Sequence, residues 1–279
     1  MVMASTEPIL IPPPAVSGPA PFIDTDRHPA VRRVADVLRS RAPVPRTIVI
    51  DDAECIEQAV AAGVRIEAIY ATPDRAARAE GLHAGVPRAD RFTVGEDVLR
   101  PLLSRDKASR LLALARAPRP SSWGEVAAAR GDVLVLDGVR ITGNVGAIVR
   151  SACAFGAAAV VLIDSGLRSA YDRRVIRASR GLVFAMPVLL ADQGELVEFL
   201  RSADVLLASL AADAEEPLEG IGRHPDRMAI LLGSERRGSS SSLEALADRR
   251  YAVSMAPGMD SLNVSVAAAL ALYERRRKP

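Results

Sequence analysis

Three uninterrupted apolar runs constrain this chain more than anything else in it: Val133-Leu-Val-Leu136, Ala159-Val-Val-Leu-Ile163 and Met228-Ala-Ile-Leu-Leu232. A strand with one wet face alternates apolar and polar residues. These runs do not alternate, so each reads as a strand buried on both faces, the habit of parallel sheets. Segments of helical character separate them, at Val145 to Phe155, Ala170 to Ser179 and Glu195 to Ser202. Further strands are expected at Val183 to Leu190, Val205 to Ala208 and Tyr251 to Met255, a short helix near Leu243 to Ala247, and a last helix over Val266 to Leu272. Strand and helix in alternation make an α/β domain, a parallel sheet with helices on both faces.

A smaller α/β unit precedes it. Thr47-Ile-Val-Ile50, Ile66 to Ala71 and Leu111 to Ala115 read as strands, and Ala53 to Ala62 as a helix. Before them, Val31, Val34, Val37 and Leu38 make the apolar stripe of a helix whose other side carries Arg32, Arg33 and Arg39. Residues 1–28 contain Pro8, Pro12, Pro13, Pro14, Pro19 and Pro21 with no helical or strand period, and read as a disordered or extended tail. The expected division is a tail over 1–28, an N-terminal unit over 29–116, a linker over 117–122 and the larger domain over 123–279.

At 279 residues, 49% hydrophobic and 25% charged, the chain has material for a substantial core. No uncharged apolar stretch reaches the roughly 18 residues of a membrane span. The N-terminus lacks the basic segment followed by an apolar one that marks a secretory signal. Cys55 and Cys153 are too few for a disulfide framework, so a reduced, cytoplasmic protein is expected. His28, His83 and His224 stand apart without ligand spacing, which argues against a metal site. Net charge is +2, yet lysine occurs only at Lys107 and Lys278; arginine supplies the remaining cations, and its planar fork suits phosphates and bases. A GC-rich genome gives the same skew, so placement says more than number. One basic loop, Arg105, Lys107 and Arg110, lies just before a strand.

Three glycine-centred stretches carry the chemistry. The first, Asp137 to Arg150 with Gly143, Asn144 and Gly146, is a strand–turn–helix crossing whose amides suit an anion and whose Asn144 suits a helix cap. Arg150 follows within an otherwise apolar helix, where a charge needs a carboxylate partner or a ligand. The second, Leu231-Leu-Gly233-Ser234-Glu235-Arg-Arg-Gly238, ends a buried strand in a carboxylate at the edge where open α/β sheets bind ligands. A structural role for Glu235, capping the next helix or pairing with an arginine, fits as well as a place at a ligand site. The residues after it, Ser239 to Ser242, read as a flexible tether. The third, Met255 to Val266, sets Ser261, Asn263 and Ser265 at alternate positions before an apolar helix. Such a stretch can wrap a small polar ligand and anchor the wrap on a buried helix.

Other chemistries fit less well. A dinucleotide site wants G-x-G-x-x-G opening a helix, and only Gly143 and Gly146 fall in the turn, at the wrong spacing. No G-x-S-x-G elbow is present and no histidine falls in the three stretches, against a Ser-His-Asp hydrolase. Tyr171 to Gly181 places arginines three and four apart, as a solvated helix face or an RNA-binding tract would. Arg180, beside Gly181 at that helix end, is set to enter a cleft.

The three stretches, in this order, resemble the motifs of the SpoU branch of the SPOUT RNA methyltransferases. Gly143-Asn-Val-Gly-Ala-Ile-Val-Arg150 resembles the first motif, Leu231 to Gly238 the second and Ser261-Leu-Asn-Val-Ser-Val266 the third. Arg130 to Gly138, Asp172 to Gly181 and Pro225-Asp-Arg227 extend the likeness to the thiostrepton- and nosiheptide-resistance rRNA methyltransferases, across most of residues 30–275. One departure is Ser239 after Gly238, where many relatives continue with leucine or proline.

The resemblance implies a SPOUT domain with a deep trefoil knot, preceded by an L30e-like RNA-binding domain. It implies a homodimer that uses S-adenosylmethionine to methylate the 2′-oxygen of an adenosine in the thiopeptide-binding loop of 23S rRNA. Cofactor contacts would come from Leu210, Gly233, Val253, Leu262, Ser261 and Asn263. Asn144, Arg150, Arg180, Glu235, Ser261 and Asn263 would line the reacting end, and Arg105, Lys107, Arg110, Arg32 and Arg33 would face RNA. The alternatives are a tRNA or another rRNA site as target, or a non-catalytic RNA-binding protein on the same scaffold. A guanidinium is a poor base because its pKa lies above about 12. Arg150 is therefore expected to steady the developing alkoxide and a neighbouring phosphate.

Overall fold

The structure, a computed structural model, describes residues 19–42, 44–103, 109–234, 237–259 and 261–277. Two sheets organise it. The first is built from β1 (Phe22–Ile23), β2 (Thr47–Asp51), β3 (Ile66–Ala71), β4 (Asp90–Val94) and β5 (Leu111–Arg116) in the order β1-β4-β3-β5-β2. Strand β5 runs antiparallel to both β2 and β3, and the rest are parallel. Its helices are α1 (Pro29–Arg39), α2 (Ala53–Ala61), α3 (Ala76–Gly85) and the short α4 (Glu96–Leu99). Val31 and Val34 of α1 pack with Val49, Tyr70, Leu112 and Leu114 on one face, and α2 and α3 cover the other.

The expected tail is corrected over residues 19–28. Phe22 and Ile23 pair in parallel with Thr93 and Val94, Ile23 is buried, and the His28 ring accepts from the Ala30 amide to cap α1. Proline removed the helical signal without preventing an edge strand, where a missing N–H costs little. Residues 1–18 lie outside the described residues.

The second sheet holds seven parallel strands: β6 (Val133–Asp137), β7 (Ala159–Ile163), β8 (Val188–Ala191), β9 (Leu206–Leu210), β10 (Glu216–Pro217), β11 (Met228–Gly233) and β12 (Arg249–Ala252). Their order is β10-β12-β9-β11-β6-β7-β8, so the three apolar runs occupy adjacent central positions. Helices α5 (Trp123–Ala128), α6 (Thr142–Phe155), α7 (Arg173–Ala178), α8 (Gln193–Ala203), α9 (Ser241–Glu244) and α10 (Val264–Arg276) connect and cover them. One face packs against α6 and α10, the other against α5 and α8.

Several boundaries differ from expectation. The segment from Val183 is a short 3-10 turn over Leu182–Phe184, and the strand starts only at Val188, after Pro187. Proline cannot donate to a ladder, which delays the strand. Helix α6 starts at Thr142, so Asn144 sits inside its first turn and is not the cap. The serines 239–242 are no loose tether: Ser240 donates its amide to Asp137 Oδ2 at 2.7 Å and opens α9. Arg275 near the end of α10 is buried, held by both oxygens of Asp132 and donating to the carbonyls of Ile221, His224 and Asp226. That bond set ties the last helix to the start of β6.

Candidate active site

At the carboxyl edge of the larger sheet, Asp137, Ile163 and Gly233 stand in one row across β7, β6 and β11. Open α/β sheets bind ligands at this edge. Two cavities adjoin there.

The first encloses about 400 Å³ and is lined by Leu210, Leu232, Gly233, Tyr251, Val253 and Leu262 among others, with Ser261 at its rim. Small-molecule pockets run from roughly 300 to 1,000 Å³. Four segments build most of its walls: the end of β9, the turn after β11, β12 with the residues that follow it, and the approach to α10. At Gly233 a Cβ would lie 1.9 Å from the Gly238 carbonyl carbon and the Ser239 nitrogen, so only glycine lets the turn fold back on the strand. Ser234 and Gly238 exchange backbone hydrogen bonds of 3.0 and 2.9 Å to close that turn, and Gly238 takes φ +66° to do so. Polar groups gather at one side. Glu244 accepts from the Ser209 hydroxyl at 2.5 Å and faces Arg250 at 3.5 Å, while Arg250 also meets Asp213 at 2.6 Å.

The second cavity, about 540 Å³, shares Ser234 and Val264 with the first and is lined also by Gly138, Arg140, Asn144, Asp164 and Arg237. Arg140 and Asp164 pair at 2.7 Å on its rim. Asn144 lines the second cavity, and the Asn263 amide nitrogen donates to its Oδ1 at 3.3 Å. The Asn263 Oδ1 accepts from the Ser265 amide at 2.8 Å, which caps α10 and fixes the side chain.

The structure thus brings together Asn144, Asn263, Ser261, Leu210, Gly233, Val253 and Leu262. It does not bring in Arg150 or Arg180. Arg150 is exposed on α6, and its side chain has no hydrogen bond or ion pair with the described residues, so of the two alternatives for it the carboxylate partner is not found. Its flanks Ile148 and Val149 are buried, but the helix turns position 150 outward. Arg180 is exposed just past α7 and lies 3.7 Å from Glu54 of α2. Glu235, Arg105 and Lys107 lie outside the described residues. Arg110 is exposed and pairs with Asp74 and Glu96. Arg33 pairs with Glu67 and lines a cavity with Arg65 and Arg88 at the opposite end of the first sheet, and Arg32 is exposed nearby.

Sequence reasoning missed Arg140, Asp164, Arg237, Glu244 and Arg250 as cavity groups. Arg140 sat inside a stretch already singled out, and Asp164 closes an apolar strand, so both had a signal. Glu244 and Arg250 belong to no glycine motif and meet only through the pairing of β12 with β9. Among the described residues no cluster could hold a metal ion, and no helix is long and apolar enough to cross a membrane.

Comparison with known proteins gives two family matches: the SpoU rRNA Methylase family over residues 132–273, and the thiostrepton-resistance methylase N terminus over residues 20–129. The 23S rRNA (adenosine(1067)-2′-O)-methyltransferase of Streptomyces azureus is 38% identical over 248 residues, 88% of this chain and 92% of that protein. The enzyme of the same name from Streptomyces laurentii is 36% identical over 90% of this chain and 93% of its own. Among solved structures, an RNA 2′-O ribose methyltransferase superposes with a TM-score of 0.76 at 31% identity, over 92% of this chain and 98% of that one. An AdoMet-bound rRNA methyltransferase from Sinorhizobium meliloti shares the fold, with a TM-score of 0.79 at 21% identity over 93% of this chain and 98% of that one.

Proposed function

The chain belongs to the SpoU rRNA methylase family, and from that premise we propose that it methylates the ribose 2′-oxygen of an adenosine in the thiopeptide-binding loop of 23S rRNA, giving resistance to thiopeptide antibiotics. The observation that carries this reading is the kinship, along nearly the whole chain, with two adenosine-2′-O-methyltransferases of 23S rRNA. Work on ribosomal RNA would place the protein in the cytoplasm.

S-adenosylmethionine, when bound, supplies an electrophilic methyl group. The first cavity fits such a molecule. Leu210, Leu232, Val253 and Leu262 offer apolar walls for a base, and the cradle at Gly233 leaves backbone groups unshielded by any side chain. The Asp213, Glu244 and Arg250 group offers charge to the polar parts.

The second cavity would take the target nucleotide, with Asn144, held by Asn263, fixing the ribose. A ribose hydroxyl is a weak nucleophile until its proton is drawn away. Arg150 and Arg180, both exposed, would act on docked RNA, stabilising the alkoxide and holding the adjacent phosphate. Arg32, Arg33, Arg105, Lys107 and Arg110 would hold the RNA through the N-terminal unit, which we take to be the L30e-like domain.

The trefoil knot and the homodimer implied by the family stay with this proposal. For the dimer, α10 leaves Val266, Leu270 and Tyr273 exposed at helical spacing, an apolar stripe without cover in one copy. Ile141 and Met259 are exposed as well.

The test is transfer of labelled methyl to a synthetic fragment of the thiopeptide-binding loop, with the target adenosine as ribose or as 2′-deoxyribose. Label entering only the ribose form is the expected result. No label in either, with cofactor binding intact, would move the target to tRNA or another rRNA site.

A further inference from the structure

The end of α7 is gripped from two sides. On one side Gly146 of α6 faces it so closely that a Cβ there would lie 2.3 Å from that of Ala178. Helix α6 also carries Asn144 and Arg150. On the other side stands α2 of the N-terminal unit. Its approach is fixed by Asp51, whose carboxylate is fully buried and accepts from Arg173 at 2.9 Å and Arg177 at 3.2 Å. These two arginines, four apart on one face of α7, are thus engaged by a buried carboxylate of the N-terminal unit.

The corner after α7 is then shaped by α2. Arg180 takes φ +53°, a left-handed conformation unusual for a residue with a side chain, and Gly181 follows at +81°. A Cβ on Gly181 would come within 2.7 Å of Gln58 Cβ and 2.9 Å of Cys55 Cα, so α2 lies directly on the glycine. The Cys55 thiol donates to the Ile176 carbonyl at 3.7 Å, and Glu54 lies 3.7 Å from the Arg180 guanidinium. The residue opening α2, Asp52, donates its amide to Leu111, next to Arg110 of the basic loop. A short path thus runs from Leu111, beside Arg110, through α2 to Arg180.

We propose that α2, anchored by Asp51, is a positioning element for Arg180, so that the N-terminal unit aligns the reacting end as well as binding RNA. This rests on the methyl-transfer reading above. Asp51, Glu54 and Gln58 touch no substrate; they hold the corner that presents the arginine.

The experiment is a double-mutant cycle on the full-length protein, combining Asp51→Asn and, separately, Glu54→Gln with Arg180→Ala. Steady-state methyl transfer and amide exchange at residues 180–182 are both read. Asp51→Asn is expected to lower kcat about tenfold with KM for S-adenosylmethionine unchanged. In the Arg180→Ala background, neither Asp51→Asn nor Glu54→Gln should change the rate by more than about twofold. Independent, multiplying effects would overturn the proposal. Glu54→Gln alters an exposed pair and keeps the test sound if Asp51→Asn folds poorly. Wild-type protein without methyl transfer would defeat the functional reading alone. Exchange of the Gly181 amide, bonded to Ile176 at 2.8 Å, must still quicken in Asp51→Asn, and unchanged exchange overturns the positioning role.

Discussion

Gly233 occupies the tightest point of the site, and its substitution is the sharpest prediction at residue scale. A methyl group added there meets two backbone atoms at 1.9 Å, and backbone cannot swing aside as a flexible side chain can. Gly233→Ala is expected to push the 234–238 turn off β11 at a cost of about 1–3 kcal/mol. Titration with S-adenosylmethionine should show no binding, and wild-type affinity would mean that the turn is not part of the pocket. Arg150→Ala is expected to cost about 3 kcal/mol, on the order of 10²-fold in single-turnover rate, as loss of one donor to a developing oxyanion does. A rate near wild type would remove Arg150 from the reacting end. The glycine motif was legible because glycine is informative by itself. The outward turn of Arg150 was harder to read, because α6 is apolar nearly all round and its buried stripe of Val145, Ile148, Val149 and Ala152 does not stand out from the rest.

At the scale of elements, the central strands were readable from apolar runs because burial on both faces leaves no other composition. Helix α7 was harder. Its arginines gave the pattern of a charged face, yet Arg173 and Arg177 turn toward Asp51, a partner more than a hundred positions away and invisible to local spacing. Serines 239–242 misled for a similar reason, since Asp137 of β6 and Gln193 of α8 hold that turn from elsewhere in the chain. Helix α10 is expected to be both a wall of the cavity and a subunit contact. Val264 and Ala267 line the cavity, while Val266, Leu270 and Tyr273 point away from it. Leu270→Glu should therefore shift sedimentation from dimer to monomer while leaving the far-ultraviolet spectrum unchanged. An unaltered dimer would place the contact on another face.

Across the whole molecule, two sheets share one continuous core that runs from Ile48 and Ile56 in the first to Val145 and Ile176 in the second. The tie between them has a signature in pH. Burial, and then the carboxylates of Asp52, Asp51 and Glu54, push the Cys55 thiol up to about 12 from an ordinary value of 9.0. Burial likewise raises the Tyr70 hydroxyl, under α1, from 10.0 to about 12. Both groups are held protonated by the fold, so their contribution to stability is whole below pH 9 and is lost as pH climbs from 9 toward 12. Thermal unfolding should show a midpoint level through neutrality that falls above pH 9. A midpoint flat to pH 11 would mean that Cys55 is not enclosed between the two sheets.

The cavity assigned to the methyl donor draws its walls from the end of β9, the turn after β11, β12 with the residues after it, and the segment entering α10. No one of these segments holds the pocket by itself. A partly folded chain therefore has no finished site to offer, and affinity for the methyl donor reports on the assembled fold.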